Sequence, residues 1–150
     1  MLTNGQLRAV AVAAGSGVIA SVGYYTAFSG LLARHHEAYA GEVRPAPWLL
    51  PVELVRSTTV ATAMVMLAER LDAQQPAGAV RLGLGLWVAF PAVLLTGSVV
   101  HEKVPWQVAT VHGGDWLIKL LLMSAIAGRR SDSSTWLQPR PRRLSVSRSR

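Results

Sequence analysis

Long apolar segments alternate with short polar ones over most of this chain. The segment from Ala9 to Ala33 contains no charged residue, and the segment from Leu82 to Val100 is likewise uncharged. A helix needs roughly 20 apolar residues to cross the hydrocarbon core of a bilayer. Strand alternation, which a membrane barrel would repeat in segments of about ten residues, is not evident. The pattern therefore predicts an all-α fold: a polytopic bundle of four transmembrane helices.

Four membrane spans follow from this pattern, at residues 9–31, 48–69, 80–100 and 105–128. The segments between them carry charges and turn-forming residues, as expected of connecting loops. Pro91 lies inside the third span and predicts a kink there. A cleaved signal peptide is the alternative for the first span, since Arg8 precedes it, but its apolar core is longer than usual for a signal.

The last span is unusual because ionisable residues lie in its middle. Its uninterrupted apolar run, Leu120 to Gly128, is too short to cross a membrane, so the helix must begin near Pro105. That start places His112, Asp115 and Lys119 at positions i, i+3 and i+7. All three side chains then project from one face of the helix.

A second helix carries matching charges. Glu53 and Arg56 lie in the second span, and with Asp115 and Lys119 they sum to zero charge. A lone charge inside a membrane costs at least about 2.5 to 3.5 kcal/mol on insertion scales. We therefore predict a buried polar cluster between spans two and four, which His112 joins. The cluster is interpreted first as interhelical ion pairs that fix register, and alternatively as a site for a proton, an ion or a polar solute.

Histidine offers a further hypothesis. His112 and Asp115 share a helix face, and several other potential ligands for zinc or a similar ion are expected on the same side of the membrane: His35, His36, His101 and Glu102. No recognised ligand spacing appears among them. The sequence therefore assigns no metal site and no cofactor.

Small residues recur at intervals that favour close helix packing. Ala13, Gly17 and Ser21 are four residues apart in the first span, and similar roles are expected for Ala11, Gly15, Gly83, Gly85 and Gly97. From these faces we expect packing between helices and self-association into a homo-oligomer. Gly113 and Gly114 allow either close packing or a break in the last helix. Tyr24, Tyr25 and Phe28 are interpreted as an interfacial aromatic belt.

Composition changes this picture in two ways. The chain has no cysteine, which excludes disulfides, thiolate metal sites and thiol nucleophiles. Its formal charge of +7 comes almost entirely from residues 129–150, which hold seven arginines and one aspartate. We predict that this tail is disordered and contacts anionic lipid, at about 1 kcal/mol per basic residue near the surface. No specific nucleic-acid partner is expected.

Basic residues also predict the orientation, because cytoplasmic flanks of spans carry an excess of lysine and arginine. Arg8, Arg70, Arg81 and the tail arginines fall on one side of the predicted membrane, and Arg34, Arg44 and Lys103 fall on the other. We therefore expect a multi-pass protein of the bacterial inner (plasma) membrane, in contact with the lipid bilayer, with both termini cytoplasmic.

Aromatic and glycine positions in these spans resemble a known family. The residues that carry the resemblance are Leu86 to Phe90, Val104-Pro105-Trp106, Ala109 to Gly114, Gly23-Tyr24-Tyr25 and Phe28-Ser29-Gly30. They are similar to the small bacterial membrane proteins that contain the domain of unknown function 1761. The resemblance covers roughly residues 10 to 128 and implies a four-helix integral membrane protein, but no activity.

Enzyme motifs do not appear in the chain. It has no glycine-rich phosphate loop, no G-x-S-x-G elbow and no H-E-x-x-H. The sequence predicts a non-enzymatic membrane protein whose biochemical role it does not specify. The alternative is an oligomeric transporter or proton or ion pathway that uses Asp115 and Glu53. A membrane-embedded enzyme built on Ser57 or Ser98 with His112 is a third hypothesis.

Overall fold

The fold is a bundle of four long helices. The computed structural model describes residues 2–40, 47–71, 73 and 75–128, and within these ranges there is no β-strand. The helices are α1 (Asn4–His35), α2 (Leu49–Arg70), α3 (Pro76–His101) and α4 (Trp106–Gly128), and a short 3₁₀ turn, Glu37–Tyr39, follows α1. The predicted all-α class is confirmed, while the predicted tail, residues 129–150, lies outside the described residues.

Three of these helices are long and apolar enough to cross a membrane: α1, α2 and α3. The last helix is of similar length, at 23 residues, but polar residues in its middle keep it out of this group. Instead, α4 has many buried positions, and these include both Asp115 and Lys119. The helix with the ionisable residues is therefore sheltered by its neighbours.

Local signals in the sequence set where the helices begin. Thr3 and Gln6 form a capping box, with the Gln6 backbone N–H donating to Thr3 Oγ1 at 3.2 Å and the Thr3 N–H donating to Gln6 Oε1 at 2.6 Å. Because of this cap, α1 begins before the predicted span. Pro76 occupies the first turn of α3, where its missing N–H costs no hydrogen bond. Trp106 begins α4 directly after Pro105, close to the predicted start.

Pro91 changes the helical geometry inside α3. Residues Val88–Ala92 form one π-helical turn between two α-helical segments, Pro76–Trp87 and Val93–His101. Proline lacks an N–H, and its ring clashes with the carbonyl four residues earlier. A widened turn relieves that clash without ending the helix. The predicted irregularity at Pro91 therefore takes the form of a π-helical turn.

The last helix is the centre of the bundle and packs against each of the other three. Two apolar clusters lie at opposite ends of the bundle. The cluster near the chain's N-terminus is built from several helices and contains Val10, Ala13, Ala14, Ala61, Met64, Val65, Ala68, Leu120, Met123 and Ala127. The other contains Leu32, Val108 and Val111. Along α4, the ionisable residues lie between these two clusters.

Small residues let α1 and α3 approach α4 closely. Ala13, Gly17 and Ser21 are all buried, so this face of α1 is occupied within the chain and is not available to a second copy. A Cβ atom on Gly83 would lie 3.2 Å from the Leu120 carbonyl oxygen and 2.9 Å from Ser124 Oγ.

The other two glycines of α3 differ from Gly83. No neighbouring atom of the described residues lies within 4 Å of the position that a Cβ would take on Gly85 or Gly97. The predicted close packing is therefore seen at Gly83 and not at these two positions.

A pair of glycine substitutions in α3 tests this packing. We expect Gly83→Ala to lower the free energy of unfolding by about 1–3 kcal/mol, because the added methyl group meets backbone and side-chain atoms of α4. Gly85→Ala is the matched control and should be neutral or slightly stabilising, since alanine is about 0.5–1 kcal/mol better than glycine within a helix. Thermal unfolding of the purified protein in detergent measures both. Equal shifts would contradict the packing described here.

Candidate functional site

Lys119 connects two carboxylates that come from different helices. Its Nζ donates a hydrogen bond to Glu53 Oε1 on α2 at 2.6 Å and lies 3.2 Å from Asp115 Oδ2, one turn earlier on α4. Lys119 and Asp115 are each only 3% exposed. The predicted pairs of opposite charge on the second and fourth helices are thus in direct contact through Lys119.

Two serines extend this set of contacts to a third helix. Ser21 Oγ on α1 donates to Asp115 Oδ1, and Ser57 Oγ on α2 donates to Glu53 Oε1 at 3.1 Å. In the part of the chain that the structure describes, no buried side-chain nitrogen or oxygen atom lacks a hydrogen-bond partner. Both carboxylates therefore have several donors around them, and the contacts join α1, α2 and α4.

Arg56 lies at the edge of this arrangement. Its Nη1 is 3.3 Å from Glu53 Oε2, and its side chain remains 53% exposed. The guanidinium carbon is 5.5 Å from the centre of the Trp116 ring, and Lys119 Nζ is at the same distance from that ring. Cations attract the face of an aromatic ring at this range. Arg56 is thus held by Glu53 and Trp116, but it is not enclosed.

Two tyrosines connect His112 to α1 and to the 3₁₀ turn that follows it. Its Nδ1 is 2.6 Å from Tyr25 Oη, and its Nε2 is 3.3 Å from Tyr39 Oη. One ring nitrogen of a neutral histidine donates and the other accepts, so the two hydroxyls have complementary roles. Tyr25, which the sequence placed in an aromatic belt, is partly buried and serves as a hydrogen-bond partner of His112.

A cavity of about 690 Å³ brings the predicted residues to one surface. All five of them line it, namely Glu53, Arg56, His112, Asp115 and Lys119. Its volume falls within the range of about 300–1,000 Å³ that is typical of small-molecule sites. On the side of Lys119 that faces Ser57, Val60 and Met123, by contrast, there is no room for a water molecule. Lys119 is therefore closely packed on one side and borders a cavity on the other.

The histidine-rich metal site is not assembled in the described residues. Within 2–40, 47–71, 73 and 75–128, no three histidine, aspartate or glutamate side chains are placed to hold a metal ion. His35 Nδ1 lies 2.9 Å from the Leu31 carbonyl oxygen, and the ring of His36 packs against Tyr39.

Gly113 and Gly114 serve in packing, since α4 is continuous through both. Trp87 Nε1 donates to the Gly113 carbonyl oxygen at 2.8 Å. A Cβ on Gly114 would overlap Tyr24 Oη. Of the two roles that the sequence allowed for these glycines, the structure has the close approach and not a helix break.

The sequence did not predict that four further residues would take part in these polar contacts: Ser21, Tyr25, Tyr39 and Ser57. Two of them carried a usable signal, because Ser57 follows Glu53 by one helical turn and Ser21 lies in the small-residue stripe of α1.

The charged and polar residues around the cavity can together hold a proton or bind a polar group from the cavity. The pair of Ser57 and His112 that was considered for a membrane-embedded enzyme is not formed, since Ser57 donates to Glu53 and His112 contacts tyrosines.

Comparison with known proteins identifies the family. No curated protein and no solved structure matches the chain. A family model does match, over residues 8–128, which is most of the chain and includes every residue that lines the cavity. The chain therefore belongs to the protein family of unknown function DUF1761.

Proposed function

We propose that the chain is a non-enzymatic integral membrane protein in which all four helices cross the bilayer. One observation carries this proposal: Lys119 and Asp115 are buried inside the bundle, whereas large apolar residues lie on its outside. Lys119 and Asp115 are each 3% exposed, whereas Ile19 is 74% and Leu94 is 69% exposed. In water this distribution is unfavourable, since exposed apolar patches promote association and buried charges are costly. In lipid it is the expected arrangement.

The same reasoning supports a membrane position for α4. This helix lacks the apolar composition of the other three, but α1, α2 and α3 all pack against it. Its charged groups therefore find partners on neighbouring helices and do not contact acyl chains. The inner membrane is the proposed location, with Arg8, Arg70 and Arg81 at the cytoplasmic end, which is also the end of both chain termini.

Single cysteines test this topology cleanly, because the natural chain contains none. Along α3, we expect His101→Cys to react with a membrane-impermeant maleimide in intact spheroplasts and Gln75→Cys to react only after permeabilisation. Leu94→Cys is the lipid-facing control and should react in neither state. For α4, Trp106→Cys should react in intact spheroplasts, like His101→Cys. A cysteine added after Arg150 should react only after permeabilisation, like Gln75→Cys. Reaction of Leu94→Cys from outside, or of both ends of α4 from one side, would contradict the proposal.

The proposed role of the ion pairs is to fix α1 and α2 against α4. Lys119 is the group on which this depends, because it contacts both carboxylates, while Asp115 contacts only one of the two cations. Without Lys119, Asp115 has no ion-pair partner among the described residues, and Glu53 keeps only Arg56. Removing the charge of Asp115 leaves Lys119 paired with Glu53.

This difference predicts an order of stabilities. Lys119→Met should lower the free energy of unfolding by about 3–5 kcal/mol, as expected when one partner of a buried pair is removed. Asp115→Asn should cost clearly less, and the double variant should cost less than the sum of the two. Lys103→Met is the matched control, since Lys103 is the other lysine of the chain and is exposed. Unfolding in detergent measures the stability of all four variants. If Lys119→Met and Lys103→Met lower it equally, the proposed role of Lys119 is wrong.

The cavity favours a second candidate function, an oligomeric transporter or a proton or ion pathway that uses Asp115 and Glu53. Both carboxylates border a space that is large enough for water or a small solute. Four helices are few to enclose a complete route, so a pathway of this kind needs more than one copy of the chain.

Proton flux into liposomes separates this candidate from a purely structural role. Asp115→Asn is the informative variant because Lys119 keeps Glu53 as a partner, so the protein should remain folded. If the pathway exists, the wild-type protein should acidify dye-loaded liposomes faster than empty ones do, and Asp115→Asn should abolish the difference. Lys103→Met serves as the control with unchanged flux. Wild-type rates equal to those of empty liposomes would argue against transport of protons.

A further inference from the structure

Among the charged groups that line the cavity, the carboxylates already have their hydrogen-bond partners, whereas one cation keeps unused donors. Glu53 already accepts from Lys119, Arg56 and Ser57, and Asp115 has Ser21 and Lys119 as partners. The carboxylates are therefore satisfied and offer little to a second positive ligand.

Arg56 differs from the other three charged residues. A guanidinium carries five N–H donors. Among the described residues, the polar contact of Arg56 is the bond to Glu53 at 3.3 Å, which is long for a charged pair. About half of its side chain is exposed, and the cavity lies beside it. An oxyanion placed in the cavity would therefore find unused donors in a planar fork, which suits carboxylate and phosphate groups.

Part of the cavity wall is apolar. Helices α1, α2 and α3 contribute the hydrophobic side chains Val18, Val22, Leu49, Leu50 and Leu95. A small hydrophilic anion would leave these side chains uncovered. A ligand that has both an anionic head and a hydrocarbon chain would match both parts of the wall.

We propose that this cavity binds an amphiphilic anion, with its carboxylate or phosphate head on Arg56 and its hydrocarbon chain against Val22, Leu50 and Leu95. A fatty acid and an anionic phospholipid both supply such a head, and the lipid comparison below distinguishes them. The inference rests on the proposed membrane position, because the bilayer supplies such ligands. It does not depend on transport, and it can fail while the topology from cysteine labelling holds.

Head-group dependence in the wild-type protein tests the proposal without any substitution. The full-length protein in phosphatidylcholine nanodiscs is heated with dodecanoate, dodecyl phosphate, dodecanol or dodecyltrimethylammonium. A ligand that binds the folded state raises the unfolding temperature. Dodecanoate or dodecyl phosphate should raise it in a saturable way, and dodecanol and dodecyltrimethylammonium should not. Equal effects of the anionic and neutral compounds would overturn the proposal.

Substitution of Arg56 locates the site. In Arg56→Gln, the half-saturating concentration of the effective anion should rise at least about tenfold, the change expected when a hydrogen bond to a charged group is lost. Arg81→Gln is the matched control, an exposed arginine of α3 that does not line the cavity, and should leave it unchanged. Equal effects of the two substitutions would overturn the assignment to Arg56. If Arg56→Gln does not fold, the head-group comparison in the wild-type protein tests the proposal by itself.

A change of lipid identifies the source of the anion. With phosphatidylglycerol in the nanodisc, a phospholipid ligand competes, so dodecanoate should lose potency in the wild-type protein but not in Arg56→Gln. Unchanged potency in the wild-type protein assigns the site to a free carboxylate. Loss of potency to the same degree in both proteins would mean competition elsewhere and would overturn the site.

Discussion

An ammonium group in an apolar interior requires opposite charge close by, and this requirement determines how the bundle is built. Lys119 meets it with Glu53 at 2.6 Å and Asp115 at 3.2 Å. A buried pair of this kind adds little net stability compared with apolar residues of similar size, but breaking it is costly. The role proposed for it is therefore one of specificity, since a rotated or shifted α2 would leave Lys119 without Glu53.

The small residues of α1 make this arrangement sterically possible. A Cβ on Gly17 would lie 2.6 Å from Met123 Cε and 3.8 Å from Lys119 Cγ. The absence of a side chain at Gly17 thus lets α1 pack on the stem of Lys119, one turn before Ser21 reaches Asp115. The stripe of small residues and the charged face of α4 are two parts of one interface, and changing either would separate the other from its partner.

Sequence reasoning predicted the elements and the main charge pairing, because both depend on strong local signals. Uncharged apolar runs predict helices of spanning length, and two acids and two bases on two such helices predict opposite-charge contacts. The differing roles of Lys119 and Arg56 were not predictable. Glu53 and Arg56 are three residues apart, so their side chains project about 60° apart from the same face of α2. The exact rotation of α2 decides which of them lies closer to Lys119. That rotation is a property of the packed bundle.

The tyrosine contacts of His112 were missed for a related reason. Tyr25 is 87 residues from His112 in the chain, and an aromatic residue near the end of an apolar span is typical of a membrane interface. Nothing local distinguishes such a residue from one that turns inward to bond a histidine. The cavity is still harder to predict, because a void depends on the shapes of all the side chains around it, including Leu95, which follows the π-helical turn at Pro91.

Lys119 and Arg56 differ in burial, and this difference suits them to different roles. Lys119 is enclosed and has two carboxylate partners on different helices, which suits the structural role proposed for it. Arg56 shares one of those carboxylates through a longer contact and stays half exposed beside Trp116. Because Lys119 also neutralises Glu53, Arg56 can turn toward another anion without leaving that carboxylate uncompensated. A structural role for the buried pair and a binding role for the cavity are therefore compatible, and the first makes the second possible.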